Sequence, residues 1–158
     1  MIDKNLFKKT ENLLRNYNKS IIKIKMIKED IRIIKTSYVG CGAIGYDEKT
    51  GPTNKFNSSV ENEIINREKK LNKLKEELEY EERLKNRIDA AIESLQTQEE
   101  KDLIKLRYIN SPRISWGNVA RHLRYNKDYC RKELAPNAIK QITDFIFYNP
   151  GIQERINI

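Results

Sequence analysis

Six basic side chains crowd a window of twenty residues: Arg113, Arg121, Arg124, Lys127, Arg131 and Lys132, with Asp128 the one acid among them. Guanidinium and ammonium groups at that density suit phosphate oxygens, and a protruding helix that carries them fits a DNA major groove. In that reading Lys127, Arg131 and Lys132 contact bases or phosphates, and Asp128 accepts from a cytosine amino group. Arg113, Arg121 and Arg124 hold the backbone, and Tyr129 stands at the edge of the reading helix. The plainer alternative is a solvated helical subdomain whose charge confers only solubility.

Other residues with chemical potential carry less. Gly40, Gly42 and Gly45 match G-x-G-x-x-G literally. A dinucleotide site needs a strand before that motif and a helix opening at it, whereas here a helical pattern precedes and a turn-rich stretch follows. The glycines are better explained by a loop that needs positive φ or a close backbone approach. Cys41 and Cys130 are far apart and neither has a neighbouring histidine in sequence, so neither a disulfide framework nor a nucleophilic dyad is expected. His122 is the single histidine, which leaves a zinc site short of ligands. Its neighbours Arg121 and Arg124 suit a solvent-facing place near phosphate. Glu76, Glu77, Glu81 and Glu82 lie in a helix rich in Lys and Arg, where a solvated charged face is the ordinary reading. No catalytic residue, metal or cofactor is therefore expected, and the chain reads as a binding protein and not as an enzyme.

These side chains need elements to hold them. From about Asp3 to Ser37 the sequence has no Gly or Pro, and Phe7, Leu14, Tyr17, Ile21, Ile24 and Ile31 recur at steps of three, four or seven. That is a helical stripe with a heptad flavour, interrupted on its own seam by Thr10 and Lys28. Ile27 with Ile34, and Ile22 with Ile33, widen the apolar surface. Residues 38–57 hold four glycines and a proline and read as a loop. Ser58 and Glu61 form a capping box that predicts a second long helix. Its seam runs Val60, Ile64, Arg67, Leu71, Leu74, Leu78, Glu81, Lys85, Ile88, Ile92 and Leu95. Each helix of some 35 residues would be roughly 50 Å long.

Three shorter helices follow, with connections of three or four residues expected between them. Thr97 and Glu100 form a capping box for a helix to about Ile109, ended by Asn110, Ser111 and Pro112. Ser115 can cap Trp116 to about Leu123, and Asn126 can cap Lys127 to about Leu134. Leu103, Leu106 and Ile109 give the first an apolar face, and Trp116, Val119, Ala120 and Leu123 the second. Cys130 and Leu134 turn the third inward, with Tyr125 placed as a lid on the turn. Pro136 predicts a break or a new start near Ala135, because the ring is tolerated only in a first turn. Ile139, Ile142, Phe145 and Ile146 then form one more apolar face, stopped by Asn149, Pro150 and Gly151.

The charge follows the same division. The chain has 158 residues, 31 Lys and Arg against 23 Asp and Glu, and a net charge of +8. Residues 1–40 carry +6, residues 41–100 carry −4, residues 101–140 carry +7, and the remainder −1. The first helix and the acidic second one suit mutual neutralisation, with tracking of DNA phosphates by the first helix as the alternative. The +7 window is left to face an anionic partner. With 38% hydrophobic and 34% charged residues, a compact α/β enzyme is disfavoured, and regularly spaced Ile and Leu argue against full disorder. No stretch is long and apolar enough to span a membrane, and Met1 to Asn5 leads into charge instead of a secretory core. A cytoplasmic protein of a bacterial host is the expectation.

The run from Glu99 to Tyr108, then Trp116 to Leu123, then Asn126 to Arg131, resembles a helix-turn-helix of the sigma-factor region-4 type. The whole layout is similar to the RinA/ArpU-like phage transcriptional regulators. It shares with them an N-terminal helix, a glycine-bearing loop, a Ser-Ser-Val-Glu start to a long helix, and a Leu-Arg-Tyr…Trp helix-turn-helix. The resemblance covers most of residues 11–134. Asn126 departs from a commoner Ser, Cys130 from the usual Val or Ile, and Pro136 comes early enough to shorten the reading helix. The resemblance implies a phage or prophage activator of late genes that binds double-stranded DNA near a promoter and touches RNA polymerase.

The expected fold is all-α: a long antiparallel helical hairpin or coiled coil followed by a small helix-turn-helix domain. Residues 1–96 would hold the two long helices and the 38–57 loop, 97–135 the helix-turn-helix, and 136–158 a short amphipathic helix and tail. A homodimer through the long helices fits this layout. A DNA-packaging factor of the small-terminase type, and a coiled-coil adaptor without nucleic acid, are the competing readings.

Overall fold

The computed structural model describes residues 4–37, 59–110 and 112–148. Every regular element among them is helical, so the all-α expectation holds. The loop 38–57 with its glycine motif and Cys41, the Ser58 cap, and the stop at 149–151 lie outside the described residues.

The first helix, α1, runs Lys4–Thr36 and the second, α2, runs Ser59–Glu93. Neither contains an internal Gly or Pro, and α1 carries ion pairs along its own surface, Glu11 with Arg15 and Glu29 with Arg32. Such pairs add only about 0.2–0.5 kcal/mol each. Helices this long are held mainly by burying a face.

Packing divides the chain into two compact units that cut both long helices: one of residues 23–81, and one of residues 1–22 with 82–158. This boundary does not fall at residue 96, where the sequence placed it. In the smaller unit, Ile24, Ile27 and Ile31 of α1 are buried, and Leu71, Leu74 and Leu78 of α2 are half-buried. Lys23 meets Glu77 at 2.9 Å and Glu81 at 2.8 Å, while Arg67 donates to the carbonyl of Lys35 at 3.0 Å. Low numbers on one segment thus meet high numbers on the other, so within this unit the segments run antiparallel. Basic α1 against acidic α2 is visible here in the Lys23 pairs.

The larger unit holds the main core. The chain continues through α3 (Gln98–Ile104), a π-turn π1 (Lys105–Ile109), α4 (Trp116–Leu123), α5 (Lys127–Tyr129), a second π-turn π2 (Cys130–Leu134) and α6 (Ala135–Phe147). Leu14 and Tyr17 of α1, Ile88, Ala91 and Ile92 of α2, and Leu95 just after it share one cluster with Leu103, Ile104, Val119, Cys130, Ile139 and Ile142. The expected seam is therefore mostly inside, and Thr10, read as an interruption of it, is fully buried.

Pro136 does not break the chain. Leu134 and Ala135 keep right-handed helical angles, and the Ala135 N–H bonds to the carbonyl of Cys130, five residues back. A proline clashes with the carbonyl four residues before it in a regular helix. The widened turn of π2 lies just ahead of Pro136 and relieves that conflict. Residues 127–147 are one continuous helical run, and the third helix is not shortened.

Candidate nucleic-acid interface

Local capping fixes where the three short segments start. Thr97 accepts from the Glu100 N–H, and the Glu100 carboxylate takes the Thr97 N–H, completing the capping box. Glu100 is buried, and its second oxygen accepts from Gln141 of α6 at 2.8 Å. Ser115 accepts from the Asn118 N–H, and Asn126 accepts from the Asp128 N–H at 2.7 Å. Each cap satisfies a helix-end amide that would otherwise have no partner.

The connections differ from the expected three or four residues in one place. Six residues, 110–115, join π1 to α4, because Asn110 turns extended at once and Ser115 waits to cap. Arg107 pins this stretch by donating to the Ile114 carbonyl at 2.6 Å, and Asn18 of α1 donates to the Ile109 carbonyl at 2.5 Å. The turn from α4 to α5 is three residues, 124–126. Arg124 there has φ 60°, a left-handed helix end of the kind that usually takes Gly. The amides of Arg124 and Tyr125 both reach the Ala120 carbonyl.

All eight expected contact residues are exposed: Arg113 in the 110–115 connection, Arg121 on α4, Arg124 in the turn, and Lys127, Asp128, Tyr129, Arg131 and Lys132 on the α5–π2 run. Cys130 and Leu134 of that same run are buried, which fixes which side looks out. Burial also pushes the Cys130 thiol up from its ordinary value, so it behaves as a small apolar side chain. Tyr129 packs against Tyr125 with ring centres 5.4 Å apart and the rings tilted at 46°. Tyr125 therefore packs against the start of the third helix and remains 44% exposed, so it is less a lid than a shoulder. His122 faces solvent.

Residues 6–143 match the model of a family described only as a protein of unknown function, DUF722. The chain belongs to that family. No curated protein and no solved structure matched it. The DUF722 match extends from the first turn of α1 into α6, and so takes in both compact units and the whole exposed basic surface.

The DUF722 chain also shows which cations are left over. Lys105 and Lys101 both turn to Glu93, at 2.9 Å and 3.5 Å, and together they hold its carboxyl below the ordinary range, Lys105 foremost. Arg107 lies over the Trp116 ring, 4.8 Å from its centre, and burial lowers its pKa from the ordinary value. By contrast, Arg113, Arg121, Arg124, Lys127, Arg131 and Lys132 make no side-chain hydrogen bond or ion pair among the described residues. No local pattern marks Arg107 as the strut of the first connection, since its partner is a backbone carbonyl. Among the described residues no His, Cys, Asp or Glu cluster able to hold a metal occurs, and no helix is long and apolar enough to cross a membrane.

Proposed function

We propose that α4, the 124–126 turn and the α5–π2 run form a sequence-specific DNA-reading helix-turn-helix, carried by a phage or prophage transcriptional regulator that activates late genes. The observation that carries this reading is the pairing pattern. Six cations around one short helix have no intramolecular partner among the described residues, while the cations on α3–π1 are spoken for. A three-residue turn between α4 and α5 has the length of the motif. Lys127, Asp128, Arg131 and Lys132 stand on the outer side, where base edges and phosphates would be met. The long helices, with α1 answering α2 in charge, then serve as a platform for RNA polymerase or for a second copy. In unit 23–81, Met26, Ile33, Ile64 and Ile65 stay exposed, which favours self-association over a solitary platform.

Duplex binding measured at several salt concentrations tests this directly. Log affinity should fall linearly with log salt, and Arg131→Ala with Lys132→Ala should reduce the slope by roughly 2, about 0.9 per lost phosphate contact. Unchanged affinity in that double variant refutes the assignment of the reading helix. Footprinting on phage DNA separates a promoter from a packaging site, and mass in solution separates a dimer from a packaging ring.

A further inference from the structure

A cavity of about 310 Å³ lies within the larger unit, with Arg131 of the 127–147 run on its lining. One wall is a single stripe of α1, Phe7, Glu11 and Arg15, each four residues on. Opposite in sequence terms is a stripe of the 127–147 run, Arg131, Ala135 and Ile139, with Pro136 beside it. Arg107, Tyr108 and Trp116 complete the lining. Both π-turns thus deliver residues to one cavity, Arg107 and Tyr108 from π1 and Arg131 from π2. Turns of this kind recur at functional sites because they re-aim side chains at a cost in regularity.

The charges do not balance. Three guanidiniums line the cavity against one carboxylate, and Glu11 is already paired with Arg15 at 2.5 Å. Arg107 spends one N–H on the Ile114 carbonyl and keeps the rest of its fork. Arg131 has no partner among the described residues. Burial first, then the cations Arg113 and Arg15, push Arg107 below its ordinary value. Like charges gathered in a partly buried place call for an anion. The remaining lining, Phe7, Ala135, Pro136 and Ile139, is apolar. The volume is near the lower end of about 300–1,000 Å³ for ligand pockets, which suits one ring and not a peptide or dinucleotide.

We propose that this cavity is an effector site for a small organic anion: a phosphate monoester or carboxylate head held by Arg107 and Arg131, with a compact apolar ring against Phe7, Pro136 and Ile139. Arginine forks match either head bidentately. Because Arg131 belongs to both surfaces, an occupied cavity withdraws one cation from DNA. That coupling rests on the DNA-binding reading; occupancy of the cavity does not.

The experiment uses the full chain and four probes at one ionic strength: phenyl phosphate, phenylacetate, inorganic phosphate and benzyl alcohol, each titrated by calorimetry. Phenyl phosphate or phenylacetate should bind about tenfold more tightly than inorganic phosphate or benzyl alcohol, and the tighter of the two names the head group. Arg131→Gln should weaken that probe by about tenfold. Glu11→Gln, which frees Arg15 for the anion, should tighten it several-fold, a gain that misfolding cannot produce. If ring-bearing anions bind no better than inorganic phosphate, or if both variants match the parent, the site assignment is wrong. A saturating probe should weaken duplex binding in the parent and not in Arg131→Gln. If the probe binds while duplex affinity stays unchanged, the coupling is refuted. If the parent never binds duplex, the proposed function fails while the cavity assignment stands.

Discussion

Thr10 and Thr143 test whether the N-terminal helix is part of the body that carries the basic surface. Both hydroxyls are fully buried. Thr143 lies 2.8 Å from the Thr10 hydroxyl and 2.7 Å from the Ile139 carbonyl, and Thr10 donates to the Leu6 carbonyl at 3.0 Å. Two protons serve three contacts, so Thr143 gives its proton either to Thr10 or to Ile139. Thr143→Val leaves Thr10 donating to Leu6 but strips its oxygen of a donor, and Thr10→Val leaves Thr143 with Ile139 alone. Each single change should cost about 1 kcal/mol, the net value of one hydrogen bond. The double variant strands no hydroxyl and places two methyls together, so its cost should fall about 1 kcal/mol short of the two singles combined. The single tryptophan, Trp116, reports on this unit. Followed by its fluorescence in urea, 1 kcal/mol moves the midpoint by roughly 0.5 M at a slope of about 2 kcal/mol/M. Strict additivity of the two substitutions would falsify the bond between α1 and α6.

Three further outcomes are expected. Tyr17 donates to Asp89 at 2.5 Å, and burial, then that bond, raise its pKa from the ordinary value; its contribution is complete below pH about 10 and is lost as pH rises beyond. Tyr17→Phe should flatten part of the alkaline fall in the urea midpoint, and a fall parallel to the parent's sinks the idea. Lys23→Met strands the buried Glu81 carboxylate and should cost about 1–2 kcal/mol by circular dichroism, while Glu77→Gln, at the more exposed partner, should stay within about 0.5 kcal/mol; equal costs contradict this ranking. Arg124→Gly relieves a side chain at φ 60° and should raise stability by about 0.5–1 kcal/mol while weakening duplex binding. A variant that gains affinity with its stability shows that Arg124 does not face the phosphates.

What could be read from sequence was what neighbours decide. Thr97, Ser115 and Asn126 cap amides two or three residues away, so their roles are written locally. Cys130 and Leu134 pointing inward, with Arg131 and Lys132 outward, follow from helical spacing alone. Thr10 was different: on the seam it looks like a fault, and only Thr143, 133 residues on, makes it a buried partner. Pro136 likewise looks like a stop until π2 is seen ahead of it. Residue 96 looked like a boundary because the sequence changes character there, yet Leu14 and Tyr17 share a core with Val119 and Cys130. Local pattern cannot report which face of α1 a distant helix will cover. For the basic surface the types and exposure were legible, whereas the disposal of Lys101 and Lys105 on Glu93 was not.

The continuity of the 127–147 run has a mechanical consequence. Arg131 and Lys132 stand on the same uninterrupted helix as Gln141 and Thr143. Gln141 holds the buried Glu100 at the start of α3, and Thr143 meets Thr10 on α1. A regular helix with a proline at 136 would kink there and let residues 127–132 pivot on their own. Here π2 absorbs the proline within the run, so Arg131 is positioned by what α6 packs against as well as by the turn at 124–126. The cavity lies on this same helix, between its contacts to α1 and its exposed cations. A ligand that spreads or tightens the α1 and α6 stripes therefore acts on Arg131 through one rigid element instead of across a flexible joint.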